Sequence, residues 1–198
     1  TAEHDALARE ARPEWKPEVA MPENPRWFSP PLYGLKTYGD LFTPRQLVAL
    51  TTFSNLVTEA IERCRQDALA ALRRDDNLQK EQGNATLSPD HDLPLEKVGA
   101  GATAYAQAVG MYLAFAVDKL ATTCNSICTW QTDPTRLVAA FGRQAIQMTW
   151  DFAEANAFGG AAGDYQFPVL SVIEVMQKLY AQGIGHVNQS DASWQSIT

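Results

Sequence analysis

Three groups of residues in this chain have the types and spacing that chemistry requires. The first is Phe42-Thr43-Pro44, inside the run Tyr38-Gly-Asp-Leu-Phe-Thr-Pro-Arg-Gln-Leu47. A turn that opens a helix there leaves free N–H groups and a positive helix end, which suit a carboxylate. The same residues also make a plain helix start, with Thr43 as N-cap, Pro44 at the first helical position and Gln46 closing a capping box. The second group lies in Phe141–Phe158. If this run is helical, Asp151 and Glu154 share a face, with Trp150 and Asn156 close by. Paired carboxylates do acid–base work or hold a cation; they also make an ordinary solvated face or pair with Arg143. The third is Val187–Ala192, where Ser190 and Asp191 end a short strand. Ligands bind at the carboxyl ends of strands in open α/β sheets, although an Asp there also serves as a turn residue.

Cys124 and Cys128 are four apart and invite a metal reading. A zinc site needs a full tetrahedral set, and the three histidines, His4, His91 and His186, are far away in sequence. The three cysteines therefore read as small apolar side chains of a reduced, cytoplasmic protein, and no metal is expected.

The elements that position these groups follow from periodicity. Residues 1–42 carry six of the 11 prolines, which predicts an extended arm lying along a surface. A helix opens at Thr43, and Leu47, Leu50, Phe53, Val57, Ile61, Cys64, Ala68 and Leu72 carry its apolar stripe to about Arg74. Polar residues with Gly83, Pro89 and Pro94 predict a flexible loop over 75–100. A second helix is expected over 101–124, with Tyr105, Val109, Tyr112, Phe115, Ala116 and Leu120 as its stripe. A third is expected from Asp133-Pro134 to about Asn156, with a kink at Gly142, and a fourth from Pro168 to about Gln182. Residues 183–198 read as one or two short strands, too few for a sheet of their own. The expected fold is mainly α: a bundle of about four helices over 43–182, the arm before it, and strands cut from a larger α/β sheet after it.

With 198 residues, 45% of them hydrophobic, the chain is long enough for one domain with a sizeable core. No run is apolar enough to span a membrane. The 23 acidic residues outnumber the 16 basic ones, and a charge of −7 argues against gripping a phosphate backbone unaided.

Four blocks together resemble a known family: Phe28–Ser54, Gly101–Val109, Tyr112–Lys119 and the Trp150-Asp-Phe-Ala-Glu-Ala-Asn156 run. The family is the large adenine-specific DNA methylases that carry a zinc ribbon, and the resemblance covers about residues 27–198. It implies a polypeptide several times longer, with a Gly-rich cofactor motif upstream and an Asp-Pro-Pro-Tyr catalytic motif downstream of this segment. Neither motif, nor any Cys-x-x-Cys, occurs here, and Asn156-Ala-Phe158 stands where relatives often read Asn-Pro-Phe. The implied cofactor is S-adenosylmethionine, with Phe42, Thr43 and Pro44 at its methionine end and Asp191 near its adenine. Trp150, Asp151, Glu154 and Asn156 would brace the substrate side, and no residue of this chain is expected to be catalytic. The implied partners are DNA, through the parent enzyme, and the remaining methyltransferase domains of the same polypeptide. The alternative is a non-enzymatic helical scaffold or protein-interaction module, in which each feature is a cap, a core stripe or a turn.

Overall fold

The computed structural model describes residues 2–24, 26–81, 92–97, 99–141 and 144–179. Four helices dominate: α1 (Ala2–Glu10), α2 (Pro44–Glu81), α3 (Ala102–Ala121) and α4 (Gln166–Lys178). One antiparallel hairpin joins β1 (Thr129–Gln131) to β2 (Arg136–Val138), pairing Thr129 with Val138 and Trp130 with Leu137. The expected strands of 183–198, and with them Asp191, lie outside the described residues.

Helix α2 starts where the capping residues say it must. The Gln46 N–H lies 3.3 Å from Thr43 Oγ1, and the Thr43 N–H donates to Gln46 Oε1 at 2.8 Å. It runs past the expected end at Arg74 to Glu81, so residues 75–81 of the expected loop are helical. Helix α3 packs along α2 through small residues. Ala102, Ala104, Ala106, Gly110 and Ala116 are buried. A Cβ on Gly110 would sit 2.4 Å from Ile61 Cγ1, so only a glycine admits this separation. Two of the six expected stripe residues, Tyr105 and Phe115, are therefore exposed, because the small face makes the closer approach. Helix α4 packs on α3 and begins two residues earlier than expected. The buried Asp164 holds its start, accepting from the Gln166 N–H and the Gly160 N–H, both at 2.7 Å.

The expected third helix does not form. Asp133-Pro134 lies in the β1–β2 turn, where Gln131 Nε2 donates to the Asp133 carbonyl at 2.8 Å. An Asp-Pro pair suits a turn as well as a helix start, and the pairing of β1 with β2 decides in favour of the turn. Beyond it, residues 144–165 carry no regular element, because their backbone groups bond to distant segments. Ile146 N–H donates to the Trp27 carbonyl at 2.8 Å, and Ala153 N–H to the Cys128 carbonyl at 2.9 Å. Gly142 and Arg143 lie outside the described residues.

The arm is not extended throughout, since residues 2–10 form α1 and short 3-10 turns cover Pro30–Tyr33 and Tyr38–Leu41. Its prolines do keep residues 11–24 out of helix, and this stretch lies along the body. Met21 N–H donates to the Lys36 carbonyl at 2.9 Å and Tyr38 N–H to the Val19 carbonyl at 3.0 Å. Two core clusters result. One gathers Met21, Leu41, Ile127 and Ile146; the other gathers Leu50, Leu120, Cys124 and Ala157. Phe42 packs against both.

Candidate functional site

The Phe42-Thr43-Pro44 turn sits on the rim of a cleft of about 320 Å³. Three stretches of chain build it: the arm at Pro13 and Lys16, the turns at Gly34-Leu35 and Gly39-Asp40, and the start of α2 at Phe42, Pro44 and Leu47. The arm closes on Gly39, whose N–H donates to the Pro17 carbonyl at 2.9 Å. A Cβ on Gly39 would stand 2.5 Å from that carbonyl oxygen.

Charge in the cleft comes from Lys16 and Asp40, paired at 3.1 Å. Asp40 Oδ2 also accepts from the Thr37 N–H at 2.8 Å and the Lys36 N–H at 3.0 Å. The Thr37 amide and then the Lys16 ammonium hold the Asp40 carboxyl down at about 2, so it stays charged. Neither residue stood out in the sequence, since Lys16 lies 24 positions from its partner. Gln46 is nearly fully buried beside the turn; its Oε1 closes the capping box, and its Nε2 has no partner among the described residues.

Two of the sequence constellations meet at this place. Arg45, next to Pro44, makes a two-pronged contact with Glu154, one arm of which is Nε to Oε1 at 2.9 Å. Glu154 raises the Arg45 guanidinium above its already high range. Its charge, after burial, also helps push the Cys124 thiol up to about 11. The partner of Glu154 is thus Arg45, 109 residues away.

Asp151 and Glu154 do not share a helix face, because their segment is not helical. Asp151 instead lines a second cleft with Thr129, Trp130, Phe152 and Ala153. Trp150 is 76% exposed and makes a T-shaped contact with Tyr33 at 4.9 Å between ring centroids. Asn156 makes a local turn, its Oδ1 accepting from the Phe158 N–H at 3.0 Å. These four residues therefore lie in four different surroundings and form no acid–base pair.

The buried Cys124 and Cys128 are free thiols, and Cys128 Sγ donates to the Val138 carbonyl. Among the described residues no cluster could hold a metal ion, and no helix is long and apolar enough to cross a membrane. His91 and His186 lie outside those residues. Compared with known proteins, the chain matches no family model, no curated protein and no solved structure.

Proposed function

We infer that this chain is a mainly helical segment of an S-adenosylmethionine-dependent adenine-N6 DNA methyltransferase, set between its cofactor-binding and catalytic parts. One observation carries the reading beyond the resemblance: the cleft at the Phe42-Thr43-Pro44 turn holds one cation and one anion side by side. The methionine end of the cofactor is a zwitterion, with an ammonium and a carboxylate on the same carbon. Lys16 matches the carboxylate and Asp40 the ammonium, while Leu35, Phe42 and Leu47 supply apolar walls. When bound, the cofactor supplies the methyl group, destined for the exocyclic amine of an adenine taken out of its stack. Residues of this chain bind and brace in this scheme, and the transfer itself belongs to the parent's other parts. Arg45 and Glu154 tie the turn to the 150–156 segment, and Asp191 completes the adenine side.

Titration calorimetry with S-adenosylmethionine tests this on the chain and on its full-length parent. Binding is expected to be lost in Lys16→Ala and in the double change Thr43→Ala, Pro44→Ala. If the parent binds as well with these substitutions as without them, the reading fails.

A specific feature favours the scaffold or interaction-module reading. An apolar groove of about 190 Å³ runs between α3 and α4, lined by Val109, Tyr112, Leu113, Val172 and Met176 among others. A groove of this kind, open among the described residues, is what a packing partner fills. An encoding gene that continues into Asp-Pro-Pro-Tyr shortly after Thr198 would remove this alternative for the parent.

A further inference from the structure

The cleft lined by Thr129, Trp130, Asp151, Phe152 and Ala153 has a volume of about 290 Å³ and is distinct from the Phe42 turn. Main-chain bonds fix its walls: β1 is held by β2, and the Ala153 N–H is held by the Cys128 carbonyl. Alternation along β1 turns Trp130 outward, leaving it 51% exposed between half-buried neighbours. Asp151 is exposed and makes no ion pair with any described residue.

A large indole left in water is unusual, and exposed tryptophans are enriched where partners bind. This chain already shows what it sets over such a ring: the Arg26 guanidinium lies 5.2 Å from the centre of Trp27. Trp130 has no such cation among the described residues, yet a carboxylate shares its cleft. We propose that this cleft receives a cationic side chain of a basic polypeptide, arginine in preference to lysine. The guanidinium stacks on the negative face of the indole and pairs with Asp151, with Thr129 and Phe152 closing the sides. The overall charge of −7 draws a basic partner toward the molecule. A nucleic-acid backbone is disfavoured, because its phosphates would meet the Asp151 carboxylate. The proposal stands independently of the methyltransferase reading.

The test is a titration of the 198-residue chain with a blocked triarginine peptide, read from the tryptophan indole N–H resonances. The Trp130 resonance, assigned through Trp130→Phe, is expected to shift saturably. Asp151→Asn weakens binding about threefold, and Trp130→Leu about tenfold. Trilysine binds more weakly than triarginine. Asp151 lies on a loop, so its substitution decides the matter should Trp130→Leu disturb the hairpin. Unchanged affinity in Asp151→Asn overturns the proposal, as does tighter binding of oligothymidylate in this cleft.

Discussion

Asn125 shows how much one side chain can hold. It is fully buried just past the end of α3, and Nδ2 donates to the Ala121 and Thr122 carbonyls at 2.9 and 3.0 Å. Its Oδ1 accepts from the Ile127 N–H at 3.1 Å. Asn125→Ala takes this partner from the buried Ile127 N–H and the half-buried Ala121 carbonyl, while the Thr122 carbonyl keeps the Ala140 N–H, for a loss of about 1–3 kcal/mol measured as a lower urea midpoint. Asp40 makes a prediction that depends on pH. Its carboxyl titrates at about 2 in the folded chain against an ordinary 3.8, so the stability it adds is fully present above about pH 4. That stability is lost as pH falls from there toward 2. Because the pair is partly exposed, about 1–2 kcal/mol is at stake. Asp40→Asn should flatten stability over that interval and leave the acid unfolding of other groups in place. None of this was visible in the sequence, where neither Asn125 nor Asp40 was singled out.

At the scale of elements, the glycines at close approaches matter more than the ion pairs. Gly110→Ala gains helix propensity but drives a methyl into Ile61, whose branched side chain has little freedom to turn away. Overpacking wins, at about 1–3 kcal/mol, and adding Ile61→Ala should recover part of it in a double-mutant cycle. Gly39→Ala meets a backbone oxygen instead, with no side chain to yield. It should release the arm, seen as faster proteolysis between residues 11 and 20 than in the unaltered chain.

The start of α2 and its stripe were legible in the sequence, because the capping box at Thr43 and the apolar spacing of α2 are local. The hairpin was not. Asp133-Pro134 serves a turn as readily as a helix, and the bonds that keep 144–165 irregular are made with residues more than twenty positions away, such as Trp27 with Ile146. The same holds for the cleft: Phe42 and Pro44 could be named, but their charged neighbours come from a separate stretch of chain. The cluster Asp151–Glu154 failed as a pair for one reason, namely that its helix does not exist.

Across the whole molecule, the Arg45–Glu154 contact joins the two halves, yet both partners are partly exposed. A double-mutant cycle should therefore give only about 0.3–1 kcal/mol of coupling. Its effect belongs in the placement of the turn: on the proposed methyltransferase reading, Glu154→Gln lowers S-adenosylmethionine affinity severalfold in calorimetry while Tm stays nearly unchanged.

The distance along the chain between those partners also sets a timetable. Ser29 waits for Met148, whose N–H reaches its Oγ at 2.8 Å, and Arg45 waits for Glu154. At a synthesis rate of about 5–20 residues per second, the capped turn leaves the ribosome roughly 5–20 s before the segment that clasps it. During that interval the arm, α2 and Phe42 must manage without their far wall. The nascent chain therefore passes through a stage in which half of its core is made and still open, which is when a chaperone would be expected to hold it.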